Sequence, residues 1–186
     1  MARSLHDRFA EQLADHAGSI QLGHGLDPES RMGPLVSRRQ ADRVAGYLAS
    51  GEAEGARILS GGEQIGPNGS FVTPTVLGSV DRSMRVMREE IFGPVAAITP
   101  FDDIDDALEL ANDTEYGLAA SVWTEGLSRA HAVTSALRAG TVWVNCHSYF
   151  SPELPKGGFK QSGWGTENGA LGLDNYLETK TVCAVV

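Results

Sequence analysis

The run Arg88-Glu89-Glu90-Ile91-Phe92-Gly93-Pro94-Val95 sets two adjacent carboxylates and an aromatic ring just ahead of a stiffening Gly-Pro pair and the apolar stretch 95–98. A carboxylate at a strand edge can accept hydrogen bonds from both hydroxyls of a ribose. A flat ring two residues further on lies on the same side of an extended chain and can pack against a base or a nicotinamide. Glu90 and Phe92 are therefore the first candidates for binding chemistry, as half of a cofactor site. Taken alone, the pattern more often marks a solvated charge pair ahead of a core strand.

Cys146-His147 is the other position that invites chemistry, because a thiol beside an imidazole supplies a nucleophile and a base. On an extended backbone, however, neighbouring side chains point to opposite faces, so His147 is poorly placed to take the thiol proton. Cys146 reads instead as a small hydrophobe in a loop or core. No catalytic residue is assigned. Asn145 either hydrogen-bonds across the loop that follows or satisfies a local turn. The histidines at 6, 16, 24, 131 and 147 share no ligand spacing, and Cys146 and Cys183 form no CxxC pair. Neither a metal site nor a disulfide framework is expected, and the default setting is a reducing cytoplasm.

The elements that would position these residues follow from periodicity. Leu5, Phe9 and Leu13 recur at helical spacing with Ser4 as N-cap, giving a first helix. Ser37 caps a second helix that carries Val44, Tyr47 and Leu48 and ends by Gly55. A strand at 57–60, a Gly-rich turn through Gly69 and an extended piece at 71–80 come next. Pro74 marks that piece as an edge strand or a bend. Residues 95–100 read as a buried strand, and Asp102 or Asp103 caps a helix bearing Ile104, Ala107, Leu108 and Ala111. A strand at 119–123, a helix from 127 to 137 and a strand at 141–144 complete an alternation that a parallel sheet with crossover helices requires. The class is α/β. Residues 145–166 form a long glycine- and proline-rich connection, a length at which loops are often functional. A helix near 170–176 and a strand at 179–186 close the chain.

Composition narrows the function classes. A hydrophobic content of 41% and a charge content of 21% suit a soluble globular domain. The net charge of −9 argues against a nucleic-acid partner, which needs a basic face. No apolar run approaches the ~20 residues that cross a bilayer, and residues 4–15 alternate charged and apolar side chains unlike a signal peptide.

Seven ordered segments carry a resemblance that covers nearly the whole chain. They are Gly33-Pro34-Leu35-Val36-Ser37, the Gly-Ala-Arg-Ile-Leu-Ser-Gly-Gly stretch at 55–62, Phe71-Val72-Thr73-Pro74-Thr75-Val76 and Glu89-Glu90-Ile91-Phe92-Gly93-Pro94-Val95. The stretch 111–120, Gly140-Thr141-Val142-Trp143-Val144-Asn145 and Gly157-Gly158-Phe159-Lys160-Gln161-Ser162-Gly163 follow. Together they resemble the C-terminal, catalytic-domain portion of the aldehyde dehydrogenase superfamily. The resemblance implies a mostly parallel sheet with crossover helices in a Rossmann-like domain at 1–178, incomplete at its N-terminus, and an oligomerisation strand at 179–186. By family pattern, the glutamate at Glu90 holds the nicotinamide ribose and the phenylalanine at Phe92 contacts the nicotinamide of NAD or NADP.

Family members are commonly much longer, so the chain is expected to be a fragment or one piece of a two-chain enzyme. The family's nucleophilic cysteine, general-base glutamate, oxyanion-stabilising asparagine and phosphate-binding turn would lie upstream of Met1. The chain alone is thus expected to lack aldehyde-oxidising activity and to bind NAD weakly or not at all. Lys156 stands where the family usually has a tunnel-lining Phe, and Thr166 where it usually has an Arg. The stretches Ser151-Pro152-Glu153-Leu154-Pro155 and Gly158-Phe159-Lys160-Gln161-Ser162-Gly163 lean toward the betaine aldehyde and aminoaldehyde branch. The C-terminal strand implies a homo-oligomer, with an N-terminal partner chain as a further expectation. Two functions stay open: part of an NAD(P)-dependent aldehyde dehydrogenase, or a non-catalytic oligomerisation module derived from one.

Overall fold

The structure is a computed structural model that describes residues 1–66 and 69–186; the Gly-rich turn expected before Phe71 includes Pro67 and Asn68, which lie outside the described residues. The chain divides into two compact units, Met1–Asp103 and Ile104–Val186.

The first unit is built around one strand with a helix on each face. It contains α1 (Arg3–Ser19), α2 (Arg38–Glu54), β1 (Arg57–Ser60), β2 (Gln64–Ile65), β3 (Phe71–Val72), β4 (Thr75–Gly78), the single turn α3 (Arg85–Arg88) and β5 (Val95–Ala97). Its main sheet has the order β1-β4-β5, with β1 antiparallel and β5 parallel to β4. Every residue of β4 is buried. Because side chains alternate along a strand, Val76 joins Ala10, Ala17 and Ile98 in a cluster with α1. Leu77 joins Ala41, Val44, Tyr47, Leu48 and Val86 in a cluster with α2 and α3. A strand covered on both faces is expected to be largely apolar; the one polar side chain here, Thr75, has its hydroxyl satisfied by the Thr73 carbonyl and the Gly62 amide.

Local chemistry fixes the ends of these elements. Ser37 caps α2 as expected, its hydroxyl accepting from the Gln40 amide at 3.2 Å. Gly55 ends the helix in the left-handed region at φ 106°, where a side chain is costly. α1 starts one residue before Ser4, because Ala2 forms a bridge with Phe101 and the Arg3 amide donates to the Phe101 carbonyl. That backbone pairing, rather than a hydroxyl cap, sets the start of the helix. Asp102 is ion-paired with Arg3.

Two strand expectations are corrected by the sheet order. Pro74 does cause a bend, between β3 and β4, but β4 is the central strand: the proline precedes the ladder and withholds no bond from it. The stretch beginning at Val95, expected to be buried, is a three-residue edge strand with Ala96 exposed. Its apolar character serves helix contacts at Val95, Ala97 and Ile98.

The second unit contains α4 (Ile104–Asn112), β6 (Tyr116–Gly117), β7 (Ala119–Val122), α5 (Leu127–Ala136) and β8 (Thr141–Val144). It continues with β9 (Lys156–Gly157), β10 (Phe159–Lys160), β11 (Thr166–Glu167), α6 (Gly169–Gly172) and a 3₁₀ turn at Leu173–Tyr176. β7 and β8 pair in parallel from Ala119↔Thr141 to Val122↔Val144, with α5 as the crossover. Around them lie short antiparallel pairs, β6 with β10 and β9 with β11. Gly140 sits where a Cβ would lie 1.8 Å from the Gly157 carbonyl oxygen, so two of the recognised motifs meet at a spot only glycine fits. Asn112 ties the two helix ends, donating to the Ala136 carbonyl at 3.0 Å and accepting from the Arg138 amide at 2.8 Å. Residues 179–186 form no ladder within this chain and are exposed. A strand needs a partner strand, and nothing among the described residues pairs with it.

Candidate functional site

Glu90 and Phe92 lie on the connection between α3 and β5, and one face of α2 holds that connection in place. Gln40, Arg43, Val44 and Tyr47 fall at helical positions i, i+3, i+4 and i+7, which share a face. The Gln40 side-chain amide donates to the carbonyls of Ile91 (3.3 Å) and Phe92 (2.9 Å). The Arg43 guanidinium donates to the Glu90 carbonyl (3.2 Å) and to the Tyr47 hydroxyl (3.2 Å). Val44 packs so closely on Gly93 that a Cβ there would stand 2.6 Å from its Cγ2. At the far end the Thr75 amide donates to the Pro94 carbonyl at 2.8 Å, carrying the segment into the sheet.

The two carboxylates of the motif have different surroundings. Glu89 accepts from the Tyr47 hydroxyl at 2.8 Å and from Arg85 Nε at 3.1 Å, and Arg85 lies over the Tyr47 ring, 4.3 Å from its centroid. The Tyr47 hydrogen bond first, and the Arg85 hydrogen bond second, hold the Glu89 carboxyl below its ordinary range. Glu90 is exposed, and its carboxylate takes no hydrogen bond or ion pair among the described residues. Phe92 has φ 55° and is 72% exposed, so the extended strand edge expected to align Glu90 and Phe92 is not formed: the strand begins only at Val95, and a left-handed residue breaks the alternation of an extended chain. A phenylalanine in the left-handed region presenting its ring outward is an arrangement that only external restraint maintains. A free carboxylate and an open aromatic face, two residues apart on a clamped backbone, suit a ribose and the flat ring attached to it.

Gln40, Arg43, Arg85 and the polar role of Tyr47 were not picked out from the sequence. Tyr47 read as a core position, and its ring is one, being 2% exposed. The signal available was the polar Gln40 and Arg43 on the apolar face that Ala41, Val44 and Leu48 define.

The other singled-out residues do not form a second reactive centre. Cys146 is exposed after β8, and His147 Nδ1 is hydrogen-bonded to Ser121 Oγ at 2.7 Å. Asn145, at φ 54°, clamps the backbone of Thr124 in both directions, accepting from its amide and donating to its carbonyl at 2.8 Å each. It reaches back to the loop after β7 rather than across the loop that follows it. The Lys156 ammonium stands 5.2 Å from the Phe150 ring centroid, and Thr166 pairs with Gly157 across β9 and β11. No group of three or more His, Cys, Asp or Glu able to hold a metal occurs among the described residues, and no helix there is long and apolar enough to cross a membrane.

Comparison with known proteins places this geometry in a family. The sequence model of the aldehyde dehydrogenase family matches residues 1–182. A betaine aldehyde dehydrogenase of Mesorhizobium japonicum is 47% identical over 182 residues, 96% of this chain and 37% of the relative. Aldehyde dehydrogenase 1A1 of Oryctolagus cuniculus is 45% identical over 179 residues, 96% of this chain and 36% of the relative. The structure of an aldehyde dehydrogenase from Bacillus cereus in complex with NAD+ superimposes with a TM-score of 0.95 at 44% identity, over 97% of this chain and 37% of that one. The chain spans a little over a third of the length of the curated relatives it matches. On the ordered motifs, the fold and the match of the family model, the chain belongs to the aldehyde dehydrogenase family.

Proposed function

We propose that this chain is the C-terminal part of an NAD(P)-dependent aldehyde dehydrogenase that oxidises an aldehyde to a carboxylic acid, and that Glu90 and Phe92 form one rim of its nicotinamide site. The observation that carries the reading is the clamped 89–93 segment, which leaves the Glu90 carboxylate free and the Phe92 ring open. Glu90 would accept both ribose hydroxyls, and Phe92 would cover the ring beside that ribose and keep water from it. A bound nicotinamide supplies the hydride acceptor. Because the nicotinamide ribose is common to NAD and NADP, these two residues do not distinguish the cofactors. The NAD+ complex of the Bacillus cereus relative supports NAD, and two free thiols suit a reducing cytoplasm.

Alone, these 186 residues would not oxidise aldehydes. Among the described residues Cys146 makes no hydrogen bond to a base, and the adjacent imidazole bonds Ser121 through Nδ1; without an activated thiolate the covalent step has no nucleophile. Exposed large apolar side chains in the second unit, among them Trp123, Trp164, Tyr176 and Leu177, support a chain that packs on further protein. The test mixes this chain with the N-terminal portion of a related aldehyde dehydrogenase and follows NADH formation with an aldehyde panel. NADH formed by the mixture and by neither part alone supports the proposal; assembly without NADH supports the second reading, an oligomerisation module, which the unpaired apolar segment 179–186 favours. Turnover by this chain alone overturns its proposed inactivity.

A further inference from the structure

We propose that Tyr47, Glu89 and Arg85 are positioning residues for the nicotinamide rim: the Tyr47 hydroxyl links a ring of hydrogen bonds that keeps Glu90 and Phe92 presented together. The inference rests on the reading of that rim as a cofactor site. Phe92 occupies a left-handed backbone at φ 55°, which is unfavourable for an L-residue, and such a conformation persists only where the surroundings over-determine it. The downstream end of the segment is held by Gln40, Val44 and the Thr75 amide. Its upstream end is held by the Glu89 amide, which donates to the Arg85 carbonyl at 3.0 Å, and by the Tyr47 hydroxyl. That hydroxyl donates to the Glu89 carboxylate and accepts from Arg43, while Arg43 also donates to the Glu90 carbonyl. Carboxylate, hydroxyl, guanidinium and carbonyl thus close a loop around the Glu89-Glu90 peptide. Arg85 braces it, bonding the same Glu89 oxygen and stacking on the Tyr47 ring.

The arrangement divides the labour of adjacent carboxylates. Glu89 is spent on restraint, so Glu90 is left free to meet a ligand. The shared hydroxyl sits at the end of a ring buried with Val44, Leu48 and Leu77. A single-atom deletion, Tyr47→Phe, therefore opens the loop while leaving the core and the Arg85 stacking surface in place. Glu89→Gln is a second variant that removes the ionic partner without touching the core.

The test has two readouts. In the 186-residue chain, Phe92 Cα and Cβ NMR shifts report its left-handed backbone. Tyr47→Phe and Glu89→Gln are expected to broaden or split the resonances of residues 90–93 while the Val44 and Leu77 methyls stay put. Unchanged 90–93 resonances in both variants overturn the proposal, as does equal disturbance of the core methyls. In the enzyme assembled with the N-terminal portion, both variants are expected to raise the KM for NAD on the order of 10-fold with the aldehyde KM unchanged. Equal changes in both constants overturn the positioning role. If the wild-type mixture forms no NADH, the proposed function fails, and the NMR readout still decides whether the network positions the segment.

Discussion

Glu89 and Glu90 show how neighbours of identical chemistry take different tasks from their surroundings. Hydrogen bonds depress the Glu89 pKa, so its contribution is fully present above the unfolded carboxyl value of about 4.3 and is lost as pH falls through the lower folded value. Acidification below about pH 4 is therefore expected to loosen residues 89–93 before the core melts, measurable as faster amide exchange there than at Leu77. Glu89→Gln should remove that pH dependence. Glu90 predicts the opposite pattern. Its carboxylate has no partner among the described residues, so Glu90→Gln leaves the urea midpoint of the chain where it was. In the assembled enzyme the same change is expected, on the proposed role of Glu90, to weaken cofactor binding about 10-fold or more, because a charged acceptor for two hydroxyls would be lost. A Glu90→Gln enzyme with wild-type KM for NAD would remove Glu90 from the site.

Between the residues and the fold stands the sandwich of α1, β4 and α2. Leu77 is fully buried within it, so Leu77→Ala is expected to cost about 2–5 kcal/mol by urea denaturation, and to release the face of α2 that carries the site. Gly93→Ala presses a methyl group against Val44, a β-branched side chain with little freedom to move, and should cost about 1–3 kcal/mol. Much at the scale of elements was legible in the sequence because its signals are local: the Ser37 cap, the Gly55 stop and the helical period of α2 in this layer, and in the second unit the short apolar run at β7 and the β-branched run at β8. What was misread depends on contacts far along the chain. Whether 95–97 is central or an edge is decided by which strand pairs with it, and Pro74 says only that a ladder cannot include its nitrogen. The site was half legible for the same reason. Glu90 and Phe92 stand in one hexapeptide, whereas Gln40, Arg43 and Tyr47, which help to hold them, lie some 40 to 50 positions earlier.

The two units are unequally provided with interior. The first has two clusters of buried apolar residues, whereas the second buries Ala130 and Trp143 and exposes many of its larger apolar side chains. Isolated β pairs of two residues with little burial are marginal in water, so the second unit should be the first part of the 186-residue chain to open. Native-state hydrogen exchange is expected to find residues 104–186 less protected than β4, and protection rising there on addition of the N-terminal portion of a related enzyme. The exposed terminal segment carries the corresponding expectation for association. Val182, Val185 and Val186 stand on a stretch with unpaired backbone groups, which is the template that another strand completes. Light scattering at micromolar concentration should therefore report a mass above that of one chain, and deletion of 179–186 should return it to the monomer. A monomeric mass for the intact chain would mean that this segment recruits no second copy, and its apolar side chains would then have to be covered by the complementary part of the enzyme, a case distinguished by their protection in the mixture alone.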